Sequence, residues 1–181
     1  DGSLLAYMIT DGGSDWRKII VMNTKTKEII GDTLKDVKFS GLSWKNNDGF
    51  FYSSYDNPSE ENKSELSAKT QYHKLYFHRL NTTQAQDKLV YGGNKQPNRY
   101  VSGSVTEDQR YLAIYAGQNT SGRQLYIQDL AVTGSKPIKI QGDYFARASV
   151  ITNKNKTFYL YTNIDAPKGR IVSVDLSSPN I

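Results

Sequence analysis

A block of about 47 residues returns four times along this 181-residue chain, and that periodicity limits the possible folds more than any other feature. Its clearest markers are polar turns at Asp1-Gly2, Asp48-Gly49, Asp108-Gln109 and Asn155-Lys156, spaced by 47, 60 and 47 residues. An apolar, aromatic-rich run follows each turn: LLAYMI, FFYSSY, YLAIYA and FYLYT. After a polar loop comes a second run, KIIVMNT, KLYFHRL, QLYIQDL or RIVSVDL, in which a long polar residue precedes Ile or Leu. Three copies add a short third run, at EII, KLVY and PIKI. A fourth run, VKFSGLSW, RYVSGSV or FARASVI, leads into the next turn. The longer middle interval is explained by an insertion at residues 56–71, a polar run with the composition of a solvated loop and room for a short helix.

Alternation within these runs has the period of strands and not of helices, so Leu75 and Phe77 fall on one face and Tyr76 and His78 on the other. About four short antiparallel strands per repeat is the content of a β-propeller blade, whose repeats run roughly 40–50 residues. The expected fold is therefore all-β. It is a partial propeller of about three and a half four-stranded blades, divided at 1–36, 37–93, 94–142 and 143–181. A β-sandwich with regular turns is the alternative. Propellers close with at least about four blades, so the chain reads as part of a larger ring, and the opening DGSL reads as a trimmed start. Uncapped blades leave strand edges that invite pairing, which makes a homodimer through those edges an expectation.

Composition agrees. Aromatic residues make up 12% of the chain and 13 residues are tyrosine, as strands favour. Zero cysteine excludes disulfides and thiolate metal sites and selects neither cytoplasm nor periplasm. The net charge of +5 comes from 23 basic residues interspersed with 18 acidic ones, without the clustered patch that nucleic-acid binding requires. No apolar run reaches the roughly 18 residues of a membrane-spanning helix.

A serine hydrolase needs a nucleophile on a strained turn, a base and an orienting acid. No G-x-S-x-G occurs; the nearest stretch, GLSWK, lacks the last glycine, and its Ser43 belongs to a strand. The two histidines, His73 and His78, are five residues apart, which puts them on opposite faces of one strand and makes them a poor metal pair; each is expected to be a surface or interface residue. The acidic pairs Asp11/Asp15, Glu60/Glu61 and Glu107/Asp108 sit in loops where turn and capping roles account for them. DGGSDW is a turn with no helix behind it to bind phosphate. The sequons at Asn62, Asn81, Asn119 and Asn155 fit chance in an Asn/Thr-rich chain. Trp16 and Trp44 are expected to pack between blades. No catalytic residue, metal or cofactor is expected here.

Taken in order, GSDW, KFSGLSW, DGFFYSSYD, QYHKLYFHRL, DQRYLAIY, QLYIQDL and TNIDAPKGRIVSVDL resemble the N-terminal propeller of prolyl oligopeptidases over essentially the whole chain. The resemblance implies a seven-bladed propeller whose ring lacks a shared closing strand. It also implies a partner domain in the same protein, an α/β-hydrolase that cleaves short peptides after proline. The propeller would then act as a lid and size filter, because a folded protein cannot thread a cavity that a flexible peptide can. Phe39 matches an aromatic that lines the family's substrate cavity, and Tyr100 occupies a position that also faces it with a different residue type; plain inter-blade core is the alternative for both. The family's arginine after the YLAI-like strand is missing; Arg123 comes later, and that role is not carried over. A propeller or sandwich module binding a protein or carbohydrate partner is the alternative function, to be favoured by an exposed aromatic row on one face.

Overall fold

The computed structural model describes residues 2–10, 12–55, 71–93, 97–179 and 181. Most of the insertion expected at 56–71, with Glu60, Glu61 and Asn62, lies outside the described residues, as do Asp1 and Asp11. The chain divides into two compact units, Asp1–Arg99 and Tyr100–Ile181. Apart from one short 3-10 turn at Gln84–Gln86, the regular structure described is strand.

The first unit carries β1 (Leu4–Thr10), β2 (Arg17–Asn23), β3 (Leu34–Val37), β4 (Ser43–Lys45), β5 (Gly49–Ser54), β6 (Lys74–Arg79) and β7 (Lys88–Gly92). Antiparallel hairpins β1–β2 and β5–β6 are paired along their full lengths, from Leu4↔Asn23 to Thr10↔Arg17 and from Gly49↔Arg79 to Ser54↔Lys74. These are the first and second runs of the repeat. The EII run does not form a third strand. Residues 28–30 make a single bridge, Met22↔Ile29, and Gly31, at φ +68°, turns the chain away. β3 takes the place beside β2, through Ile19↔Leu34 and Arg17↔Val37, and its last residue also pairs β5 through Val37↔Ser54. β4 pairs the other end of the same edge of β5, from Ser43↔Phe51 to Lys45↔Gly49. β3 and β4 therefore lie end to end along β5, and residues 38–42 bulge out between them.

The core of this unit is Ile19, Val21, Leu34, Val37, Phe50 and Tyr52, with Leu4, Ala6, Met8 and Trp44 packed against it. The β1 contributors alternate as a half-buried strand dictates. All six residues of β5 are buried, so this strand is covered on both faces. Gly49 is where a side chain is excluded: a Cβ there would lie 2.0 Å from the His78 carbonyl oxygen and 2.9 Å from the Phe77 ring.

In the second unit, β8 (Tyr100–Val105), β9 (Tyr111–Gly117), β10 (Arg123–Asp129) and β11 (Ile138–Gln141) form a four-stranded meander. Three further strands follow: β12 (Ala148–Lys154), β13 (Thr157–Thr162) and β14 (Arg170–Asp175). Gln109 and Asn155 take left-handed φ values of 61° and 54° in the tight turns that open β9 and β13. The two sheets of this unit share a core of Tyr111, Ala113, Leu125, Ile127, Ile140, Ala148, Phe158, Leu160 and Val174. Tyr111 and Phe158 meet edge to face at 5.1 Å, a geometry the ring quadrupoles favour. Along β13, Phe158, Leu160 and Thr162 point inward and Tyr159 and Tyr161 outward.

Candidate substrate-contact site

Phe39 stands in the bulge between β3 and β4. It is 50% exposed and its φ is +52°; Asp36, three residues earlier, has φ +58°. For residues with a Cβ this left-handed conformation costs on the order of 1–3 kcal/mol each and persists only where the surroundings impose it. Three hydrogen bonds do so. Ser54 Oγ donates to the Asp36 carbonyl, the Ser53 amide donates to Ser40 Oγ at 2.7 Å, and His73 Nε2 donates to the Lys38 carbonyl at 2.9 Å. Because a carbonyl only accepts, the last bond fixes the Nε2–H tautomer of His73.

His73 is 1% exposed. Burial lowers its pKa from 6.5 to about 4, and the hydrogen bond to Lys38 opposes that shift without overcoming it. Its ring lies 4.6 Å from that of Tyr55, and Tyr55 meets Phe39 at 6.5 Å and Trp16 at 6.1 Å, both edge to face. Lys38 Nζ completes the cluster, 5.1 Å from the Trp16 ring centroid, 5.3 Å from that of Phe39 and 3.8 Å from Asp15 Oδ2. The arrangement is a pre-formed aromatic wall with one half-exposed phenylalanine and a cation held over two rings. A wall of this kind takes up apolar and planar groups of a ligand without any chemistry of its own.

Tyr100 lies in the other unit, at the start of β8, and is 47% exposed. Counted along the repeat it stands where Phe39 does, although Tyr100 is paired within β8 and Phe39 lies in the bulge. Ser43 pairs Phe51, which pairs Phe77; Ser104 pairs Ala113, which pairs Ile127. Phe77 and Ile127 hold the same place in KLYFHRL and QLYIQDL, and Phe39 and Tyr100 each stand four residues before the matching serine. Tyr100 also pairs Gly117, which pairs Arg123, so an exposed tyrosine, a bare glycine and an arginine form one cross-strand row. Arg123 stacks on Tyr115 at 4.3 Å and donates from Nη2 to Ser149 Oγ at 2.7 Å.

Both histidines are buried, where surface or interface positions were expected, because each finds a fixed acceptor. His78, 2% exposed, donates from Nδ1 to Asp87 Oδ1 at 2.7 Å, and the Tyr52 hydroxyl donates to Asp87 Oδ2 at 2.7 Å. A His–Asp pair is two of the three members of a hydrolase triad, but the hydroxyl here belongs to Tyr52 and bonds Asp87, not His78. Burial, then the bond to Asp87 and its charge, push the Tyr52 pKa up and oppose its ionisation. The trio clamps β5, β6 and the 3-10 turn together, and Gln84 of that turn exchanges hydrogen bonds of 2.8 and 2.9 Å with the Lys35 backbone. Beside it lies a cleft of about 220 Å³ whose lining includes Asp36, Tyr52, Tyr55, Tyr76 and Asp87. Among the described residues, no three His, Cys, Asp or Glu side chains converge as a metal site would require.

Sequence reasoning singled out Phe39 and Tyr100 but missed His73, Lys38, Trp16 and Tyr55 as parts of one site. Trp16 and Trp44 are each half-buried: Trp16 belongs to the Phe39 cluster, while Trp44 meets Phe50 edge to face at 5.3 Å.

Comparison with known proteins gives this geometry its context. Residues 1–181 match the family described as prolyl oligopeptidase, N-terminal beta-propeller domain. The chain is 47% identical over 178 residues to the prolyl endopeptidase of Elizabethkingia meningoseptica, covering 98% of this chain and 25% of that protein. It is 32% identical over 201 residues to prolyl oligopeptidase A of Amanita bisporigera, covering 99% and 26%. Among solved structures, one from a study of two prolyl endopeptidases matches with a TM-score of 0.84 at 30% identity over 99% of this chain and 25% of that one. Prolyl oligopeptidase B from Galerina marginata, bound to a 35-residue hydrolysis and macrocyclization substrate, matches with a TM-score of 0.87 at 26% identity over 98% and 27%. The chain spans about a quarter of the length of the curated relatives it matches. The repeats, the sheets they form and the match along all 181 residues together show that the chain belongs to the prolyl oligopeptidase family, within its N-terminal β-propeller domain.

Proposed function

We propose that this chain is the non-catalytic, substrate-admitting part of a prolyl-oligopeptidase-like serine endopeptidase. It gates and size-filters short proline-containing peptides on their way to a separate α/β-hydrolase domain of the same protein, and Phe39 and Tyr100 touch those peptides as they pass. The observation that carries the reading is that Phe39 and Tyr100 are half-exposed aromatics at one repeat position, one of them held in a costly backbone conformation. Residues held in such conformations cluster at ligand-contact sites, and an exposed aromatic held in one supports a peptide contact at Phe39.

The test uses the full-length protein. Phe39→Ala and Tyr100→Ala should each raise KM for a proline-containing reporter peptide roughly 5- to 30-fold with kcat nearly unchanged, as loss of a contact made equally in ground and transition states requires. Unchanged KM in both variants overturns the contact role. The 181-residue chain alone should not cleave the reporter, and turnover that survives repurification would overturn the non-catalytic reading. A second reading has one observation in its favour. Tyr159 and Tyr161 form an exposed row on the outward face of β13, as a module binding a protein or carbohydrate would present. We also propose that the isolated chain pairs with a second copy through its uncapped strands, a matter of assembly distinct from peptide admission.

A further inference from the structure

We propose that His73 is the positioning residue of the Phe39 contact: its Nε2–H bond to the Lys38 carbonyl and its packing on Tyr55 set the bulge that presents Phe39. The inference rests on Phe39 being a peptide contact and adds the residue that makes it one.

Of the three bonds described above, two come from Ser53 and Ser54 of β5, the strand the bulge runs beside. The third comes from outside, from His73, just before β6. It acts directly beside Phe39, since Lys38 O belongs to the peptide unit that leads into Phe39. Releasing that carbonyl frees the rotation that φ +52° at Phe39 must hold. The imidazole also backs the aromatic wall, because Tyr55 lies between it and both Phe39 and Trp16. His73 is itself pinned. Gly92, at φ +105°, lies against its backbone so closely that a Cβ would come within 2.6 Å of the His73 carbonyl oxygen. A rigid donor, a single tautomer and a fixed backbone are what holding a strained neighbour requires.

The experiment has a structural arm and a kinetic arm. In the full-length protein, exchange of the Ser53 amide with solvent and the 19F resonance of 4-fluorophenylalanine at position 39, assigned with Phe39→Leu, report the bulge. His73→Leu should speed Ser53 exchange about 10-fold or more and shift the fluorine resonance. His73→Gln, whose amide can still donate to the Lys38 carbonyl, should restore most of both. In the full-length protein, His73→Leu should raise KM for the reporter peptide about 10-fold with kcat within about twofold, and Gln should rescue it. If His73→Leu folds and leaves exchange and resonance unchanged, or if Gln and Leu perturb them equally, the positioning role is overturned. If both structural signals move while KM does not, positioning stands and the peptide-contact reading of Phe39 falls. Should His73→Leu not fold, the wild-type chain decides. The His73 Nε2 proton should appear as a slowly exchanging imidazole resonance near pH 7 with a cross-peak to the Phe39 amide, and its absence overturns the proposal.

Discussion

His73 is 1% exposed, and burial draws its pKa from 6.5 to about 4. Between those values the unfolded chain binds a proton that the folded chain refuses, so stability must fall as pH falls. The loss begins as pH drops below about 6.5 and is complete below about 4. At about 1.4 kcal/mol per pH unit it amounts to on the order of 3 kcal/mol, a large share of the roughly 5–15 kcal/mol that a domain possesses. Urea midpoints measured at pH 7.5 and 4.5 should therefore differ more for the wild type than for His73→Gln, which cannot titrate. Equal pH slopes for the two would show that His73 is not buried neutral. Little of this was legible beforehand. Phe39 could be picked out because its residue type and its place in the repeat resemble the family's, and Tyr100 because of its place alone. The company of Phe39 could not, since Trp16, Tyr55 and His73 come together only after three separate segments have folded. The burial of the two histidines was not legible either, because spacing reports which face a residue takes and not what lies against that face.

Hairpins were the most legible elements. β5–β6 and β9–β10 follow the repeated runs closely, because alternation and turn residues act over a few positions. The EII run misled: its apolar pair suggested a strand, yet Gly31 at φ +68° ends the pairing after one bridge, and β3 takes the place beside β2. The bulge at 38–42 was invisible for a similar reason. A bulge is defined by what the neighbouring strand pairs, and β5 is shared between β3 and β4. The hairpin that supports this arrangement depends on Gly49, whose missing Cβ lets β5 approach the His78 carbonyl. Gly49→Ala places a methyl 2.0 Å from a backbone oxygen in a fully paired strand, where nothing flexible can yield. Overpacking of that kind costs roughly 1–3 kcal/mol or more. The midpoint of chemical unfolding should drop accordingly, with an unchanged denaturant slope if the folded state is otherwise intact. A midpoint equal to the wild type would mean that the β5–β6 hairpin is looser than its register indicates.

At the scale of the whole molecule the repeat carried most of the information, since four copies of a strand pattern restrict architecture far more than any one strand does. Each repeat buries one face of its sheet, and the next repeat is what would bury the other. That logic leaves a signature in this chain. On the outward side of the last sheet, Tyr161 is 52% exposed, and its cross-strand neighbour Ile171 is 66% exposed; Tyr159 follows on the same face. Among the described residues, β14 pairs with β13 and with no other strand, and β1 pairs with β2 alone, so each ends its sheet as an open edge. An open edge beside an apolar face is the arrangement that recruits another strand. The isolated chain should therefore associate with concentration. Light scattering should rise from the 20.4 kDa of a single copy toward twice that mass. Tyr161→Lys with Ile171→Lys should hold the chain at the monomer mass, because a charge in the contact opposes closure whereas both positions already tolerate solvent. If the wild type remains monomeric at every concentration, these edges are blunted by the strands' own twist and the proposed pairing is wrong. If the wild type dimerises and the double variant does so equally well, the outward face of the last sheet is not the contact, and a lysine at Leu5, 46% exposed on β1, tests the edge of the first sheet next.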